Sequence, residues 1–172
     1  MPKPSMQSDV TIVKIPKRQV AHCRSVSRSA RKDAWKKITN WAKVHDLELD
    51  PESTPLFGID NPPPSLPYIE YAHECIVPVS EDISNSYDED VEIEDQQGGI
   101  YAVTTTCLSQ TEQVKNELCE WCEKHGYDTS QKECLQEYID PAHEPHENTL
   151  VNLYIPLEKK MHKKNQTSQN TK

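Results

Sequence analysis

The stretch NELCEWCEKHGYD (residues 116–128) sets Cys119, Cys122 and His125 three residues apart. Two thiols and an imidazole at that spacing could hold a metal or form a redox pair. Ser109-Gln110-Thr111-Glu112 reads as a capping box that starts a helix near Gln110. Cys119 then lies two turns inside, too far from the N-terminal dipole to become a reactive thiolate. His125 would sit roughly 240° around the helix from Cys119 at about 3.6 residues per turn, and a closed zinc site needs four convergent ligands. The expectation is no metal: core thiols and a helix-end imidazole.

Two strand-like stretches remain, EYAHECIVPV (70–79) and ECLQEYID (133–140). Alternation puts Glu70, Ala72, Glu74 and Ile76 on one face of the first, and Cys134, Gln136, Tyr138 and Asp140 on one face of the second. A carboxylate among tyrosines suits a lipophilic cation, because π faces and an anion both attract positive charge. The alternative is that Glu74 and Glu137 face water, as strand acids usually do. No Ser-His-Asp order, phosphate-binding loop or dinucleotide fingerprint occurs, and Gly98-Gly99 reads as a hairpin turn. No catalytic residue and no cofactor is assigned.

The formal charge of −9 is unevenly spread. The tail 159–172 carries five lysines and no acid, whereas residues 9–158 hold 13 basic and 28 acidic side chains. Such a body repels phosphate backbones, so nucleic acid is not an expected partner. Mean hydropathy is −0.83, no apolar run approaches the roughly 18 residues of a membrane span, and the N-terminus lacks a signal-peptide core. The chain reads as cytoplasmic, with six unpaired cysteines.

The elements that must position these residues come twice. VTIVKIPKRQVAHCR from Val10 and VEIEDQQGGIYAVTT from Val91 each read as strand, turn, strand. AWKKITNWAKVHDL (34–47) and VKNELCEWCEKHGY (114–127) each read as a helix. A shift of 80 sets Ala34, Ile38, Trp41, Ala42 and His45 on Val114, Leu118, Trp121, Cys122 and His125, one apolar stripe in both. LFGIDNP (56–62) matches QEYIDPA (136–142), and CIVPV (75–79) matches LYIPL (153–157), with the proline-rich loops NPPPSLP and DPAHEPHE before the last strands. The fold expected is α+β: duplicated modules with antiparallel sheets, each covered on one face by its helix, related by a pseudo-twofold with a groove between them. Repeat 1 covers about 9–79, an acidic linker 80–90 and repeat 2 about 91–158, between disordered ends at 1–8 and 159–172.

Taken in order, VTIVKIPKRQVAHCR, AWKKITNWA, PLFGIDNP, GGIYAVT, CLQEYID and VNLYIPL are similar to the GyrI-like, AraC-type effector-binding domain, the kind also found at the C-terminus of the Rob and BmrR regulators. The resemblance covers about residues 9–158 and implies a groove that binds amphipathic or cationic small molecules around aromatic rings and a glutamate. On it the candidate ligand-binding residues are Tyr71, Glu74, Trp121, Gln136, Glu137, Tyr138 and Tyr154. A regularly acidic family position falls on Gln136, with Glu137 beside it pointing the other way; Glu74 falls where relatives carry a glutamate before an aromatic, here Cys75. With no DNA-binding segment ahead of it, the chain reads as a stand-alone sensor or sequesterer of a small molecule. The resemblance also implies two alternatives. One is hydrolysis of reactive xenobiotics, with Glu74 as candidate base. The other is a protein partner such as DNA gyrase, met through the acidic segment 81–95.

Overall fold

A computed structural model describes residues 9–60, 70–80, 82–83, 88–130 and 133–158. Both termini, NPPPSLP, and residues 81 and 84–87 of the acidic linker lie outside the described residues. The described strands are β1 (Thr11–Ile15), β2 (Arg18–Ser27), β3 (Phe57–Asp60), β4 (Tyr71–Pro78), β5 (Glu92–Gln96), β6 (Gly99–Cys107), β7 (Asp128–Thr129), β8 (Leu135–Tyr138) and β9 (Leu150–Glu158). Helix α1 (Ala30–Val44) follows β2 and α2 (Thr111–Lys124) follows β6.

All pairings are antiparallel, and one sheet runs β1-β6-β9-β8-β3-β4-β2-β5, with β7 beside β9. The expectation of a separate sheet in each half is corrected: β3 pairs with β8, Phe57 opposite Glu137, and joins the halves into one sheet. The expected hairpins are corrected too. β1 pairs with β6 and β2 with β5, so the chain crosses between halves at 16–17 and 97–98. Two-residue hairpin loops need positive φ at one or both central residues. Among the described residues only Asp46 and Gly126 have positive φ, so neither connection can fold back. The two connections pack on each other instead, and a Cβ on Gly98 would lie 2.5 Å from the Ile15 carbonyl oxygen.

This crossing curls the sheet. β1 and β2 stand six steps apart in the strand order, about 29 Å if flat at roughly 4.8 Å per strand. The link from Ile15 to Arg18 can span at most about 11 Å, so the sheet wraps round one face.

Both helices cover the other face. In α1 the buried stripe is Ala34, Ile38, Trp41 and Ala42; in α2 it is Val114, Leu118 and Cys122. They pack on Ala21, Cys23, Cys75 and Val77, and on Ala102, Leu153 and Ile155, respectively. Each helix closes alike. The His45 and His125 rings bond the Trp41 and Trp121 carbonyls at 2.9 and 2.8 Å. A left-handed residue follows, Asp46 (φ 54°) or Gly126 (φ 82°), and the amides of Leu47 and Tyr127 reach Ala42 and Cys122 at 2.8 Å. The capping box expected at the start of α2 does not form. A 3-10 turn at Leu108–Gln110 leads in, Gln110 makes no side-chain cap, and Ser109 Oγ lies 3.2 Å from Cys107 Sγ instead. The lead-in turn takes up first-turn groups by i→i+3 bonds, which leaves a capping side chain little to do.

The match of Ile59-Asp60 with Ile139-Asp140 fails as well: the first pair ends β3, the second follows β8. Ten residues lie between Lys124 and Leu135 and twelve between Val44 and Phe57, a two-residue offset.

Candidate ligand-binding faces

Strand alternation divides the candidate residues between the sheet's two faces. Glu74, Glu137 and Tyr154 stand on the curled, helix-free face with Val20, Phe57, Ile59, Ile76, Tyr101, Val103 and Leu135. These apolar residues are buried although no helix covers them, as the curl requires. Pairing register aligns Asn152, Glu137, Phe57, Ile76 and His22 in one row across five strands.

Glu137 is 7% exposed. Asn152 Nδ2 donates to its Oε1 at 2.8 Å and the Tyr154 hydroxyl to its Oε2 at 3.4 Å, both neutral donors. Burial first, then the Glu137 charge and hydrogen bond, push the Tyr154 phenol up to about 12. Tyr154 meets Phe57 and Tyr101 edge-on, at centroid distances of 5.4 and 5.8 Å. Arg18 completes this end: its guanidinium carbon lies 5.5 Å from the Phe57 ring centroid, and its Nε donates to Gln96 at 2.8 Å. One Arg18 terminal nitrogen has no hydrogen-bond partner among the described residues. Burial lowers the Arg18 pKa, against the charges of Tyr154, Tyr101 and Glu137.

On the same face opens a cleft of about 250 Å³ whose wall includes Val20, His22, Ile59, Glu74, Ile76, Gln96, Tyr101 and Leu135. His22 Nε2 and Glu74 Oε1 are 2.6 Å apart there. Glu137, Phe57, Tyr154 and Arg18 do not line it, but Gln96, which accepts from Arg18, does. Among the described residues one group could hold a metal, His22 with Glu92 and Glu94, whose ligand atoms lie within 4.8 Å of one another. Both glutamates are exposed and one His22 nitrogen is already taken by Glu74, so nothing closes a coordination sphere.

Tyr71, Gln136 and Tyr138 stand on the helix face, away from the cleft, and belong to a buried polar network around Asp60. Asp60 accepts from Arg31 at 3.0 Å and Gln136 at 3.2 Å and pairs with His73 Nδ1 at 2.6 Å. His73 Nε2 meets the Tyr138 hydroxyl at 3.1 Å, and the Tyr71 hydroxyl accepts the Arg31 amide at 3.1 Å. A Cβ on Gly58 would lie 2.6 Å from His73 Nε2, so only glycine fits beneath this ring. Burial pushes the Asp60 carboxyl up, but the His73 hydrogen bond and Arg31 outweigh it and hold its pKa below the ordinary value. Burial lowers His73 despite Asp60. Tyr138 rises well above the ordinary phenol range through burial first, then neighbouring Cys75. Trp121 stands on α2, half-buried against the Leu118 and Cys122 core, and stacks on His125 at 4.1 Å rather than lining the cleft. Cys122 is fully buried under that helix and Cys119 partly so.

Arg18, His22, Phe57 and Tyr101 escape a sequence reading. Strand exchange brings β2 and β5 together across about 70 residues, and no local pattern announces it. All four residues of β8 are buried, so its burial does not alternate and gives no cue to which face is the cleft.

A curled antiparallel sheet, backed by two helices and carrying an acid- and tyrosine-lined cleft on its free face, has the build of a domain that holds a small molecule. The chain belongs to the GyrI-like family: the model of the GyrI-like small molecule binding domain matches residues 8–158. No curated protein matches the chain by sequence. Among solved structures, the C-terminal domain of EcmrR aligns with a TM-score of 0.61 at 12% identity, covering 87% of this chain and 97% of that one. Against the longer EcmrR chain in a DNA-bound transcription complex, this chain spans 57% of the relative's length, with a TM-score of 0.60 and 14% identity. SAV2435 bound to tetraphenylphosphonium aligns with a TM-score of 0.53 at 13% identity, covering 87% and 94%. A hydrolase from Listeria innocua aligns at 0.58 and 12%, covering 87% and 92%. At such identities these likenesses establish the fold alone. Among the described residues no helix is long and apolar enough to cross a membrane.

Proposed function

We propose that the curled face binds a lipophilic cation, for sensing or sequestration, between Glu74 and the Glu137–Tyr154–Phe57 cluster. The observation that carries this reading is Glu137, a carboxylate 7% exposed whose hydrogen bonds come from neutral donors among aromatic rings. A buried anion of this kind favours a cation beside it, and ring faces add to the attraction. The protein's own Arg18 now covers that cluster, over Phe57. An aromatic cation entering from the Glu74 end displaces Arg18 toward solvent and takes its place over the ring. The tetraphenylphosphonium held by SAV2435, a protein of the same fold, supports the choice of probe.

Calorimetric titration of tetraphenylphosphonium tests it. Saturable binding is expected, weakened about tenfold or more in Glu137→Gln and strengthened about threefold in Arg18→Met, which removes the internal competitor. Equal affinities in all three proteins would sink the reading.

Duplication belongs to the same proposal. Exchanging β1, β2, β3 and β4 for β5, β6, β8 and β9 turns the strand order into its own reverse, and the two helix closures agree atom for atom at a shift of 80. A pseudo-twofold through the β3–β8 seam would put the cluster around Glu137 close to that axis.

A second reading has its own observation. The Glu74–His22 pair, 2.6 Å apart on the cleft wall, suits general-base activation of water, and a Listeria innocua hydrolase shares the fold. Turnover of a reactive electrophile that survives Glu74→Gln unchanged would exclude it.

A further inference from the structure

Two thiols meet beneath α1. Cys23 on β2 stands directly opposite Cys75 on β4, and both are buried in the core that α1 covers. The Val79 amide donates to the Gln19 carbonyl at 3.0 Å. Hydrogen-bonded pairs recur at every second residue of an antiparallel ladder, so Cys23 and Cys75 form such a pair. Their Cα atoms are then about 5.5 Å apart, within the range that a disulfide spans. The two side chains are already engaged: the Cys75 thiol donates to the Cys23 sulfur, and Cys23 Sγ donates to the Ala34 carbonyl at 3.4 Å. The Cys75 hydrogen bond holds the Cys23 thiol below its ordinary value against the effect of burial. Burial, and then Cys23, push the Cys75 thiol well above its own. Burial also raises Cys119, Cys122 and Cys134, and Cys107, the other strand cysteine, faces Leu150. One thiol is thus favoured as a thiolate and has a resolving thiol directly across the ladder.

We propose that Cys23 and Cys75 are a reversible oxidation site, at which a hydroperoxide converts the opposed pair into a cross-strand disulfide. The Cys23 thiolate attacks a peroxide oxygen; an S–O bond forms, the O–O bond breaks and hydroxide leaves with the proton that Cys23 gave up, as water. The Cys75 sulfur then displaces the sulfenic oxygen; the S–S bond forms, the S–O bond breaks and a second water leaves with the Cys75 proton. The thiols lose two electrons, and hydrogen peroxide gains them. Directly opposed Cβ atoms lie about 4.5–5.5 Å apart, whereas a disulfide holds them at about 3.5–4.5 Å. The bond therefore draws β2 and β4 together under strain and is easily reduced, as a reversible modification requires. The sulfurs lie under α1, while the preceding residues, His22 and Glu74, line the cleft on the other face. Oxidation tightens the strand pair that carries that wall. Burial keeps bulky reagents out, and local fluctuation of α1 admits a small oxidant.

The test treats the fully reduced chain, at high dilution, with hydrogen peroxide. Remaining thiols are capped with N-ethylmaleimide in denaturant, and the unreduced digest is mapped by mass spectrometry. We expect the Cys23–Cys75 link to exceed any other cysteine pair about tenfold or more, and dithiothreitol to reverse it without unfolding the protein. In urea the register is lost, and pairs close in sequence such as Cys119–Cys122 should dominate instead, because short loops close most readily. Cys75→Ala should leave Cys23 as a sulfenic acid that dimedone traps. Cys23→Ala should slow oxidation of Cys75 about tenfold, since the remaining thiol is the one held protonated. The comparison of native with urea-unfolded parent needs no variant and carries the test if either fails to fold. Another pair dominating in the native protein, or the same distribution of links with and without urea, would overturn the proposal. So would Cys23 and Cys75 both remaining free thiols after Cys107 is consumed, or a link that dithiothreitol reduces only after unfolding.

Discussion

The two faces of one sheet treat a buried carboxylate in opposite ways. On the helix face Asp60 is met by the Arg31 guanidinium and the His73 ring, so its charge is neutralised within the fold. On the curled face Glu137 receives hydrogen bonds from an amide and a phenol and stands near Arg18 without an ion pair to it. The first arrangement secures the core. The second leaves electrostatic attraction available to a ligand, because neutral donors orient a carboxylate without cancelling its charge.

The contrast can be broken most severely at Asp60. Asp60→Ala strands Arg31 and His73 in the core and should lower the unfolding free energy by about 3–5 kcal/mol in urea titration. Glu137→Gln should change it by less than about 1 kcal/mol, since the amide replaces a carboxylate that was already costly to bury. If the two losses are similar, the faces do not differ as described.

Next in size is Gly58→Ala. A methyl 2.6 Å from His73 Nε2 must push the ring off Asp60 or Tyr138, at about 2 kcal/mol. A variant as stable as the parent would show that the ring has room to move.

Acid separates the faces by pH. His73 has its folded pKa lowered from 6.5, so below about pH 6.5 the unfolded chain takes up the proton first and stability falls as pH drops toward the folded value. Asp60, also lowered in the fold, adds a further loss below its ordinary value of 3.8. His73→Asn should remove the decline that begins near 6.5 and shrink, without abolishing, the lower one, which Arg31 also sustains, as read from thermal midpoints at successive pH. A midpoint profile unchanged by the substitution would show that His73 contributes nothing to it. The smallest effect is expected from Tyr154→Phe, which takes a 3.4 Å hydrogen bond from Glu137 but keeps the ring. Stability should fall by about 0.5–1 kcal/mol, with tetraphenylphosphonium affinity within about threefold of the parent.

How much of this could be read from the chain differs between elements. The stripe Ala34, Ile38, Trp41, Ala42 and its counterpart Val114, Leu118, Cys122 were legible because helical periodicity is local and each residue repeats it. Glu74, Glu137 and Tyr154 were legible as acids and a ring on strands, but Tyr71, Gln136 and Tyr138, drawn from the same two strands and by the same reasoning, belong to the other face. A central strand buried on both sides, such as β8, gives no alternation by which to orient it.

Composition and periodicity by themselves determined the α+β class, the two helices with their buried stripes, and a core built of unpaired thiols and aliphatics. Only the tertiary structure decided which strands pair. A hairpin and an exchange of strands present the same alternating side chains, and they differ only in whether a two-residue link turns back or crosses. The crossing links curl the sheet, bring Arg18 over Phe57, and set Glu137 within a curled face. Those relations join residues about 40 to 120 positions apart, and no local preference in the chain encodes them.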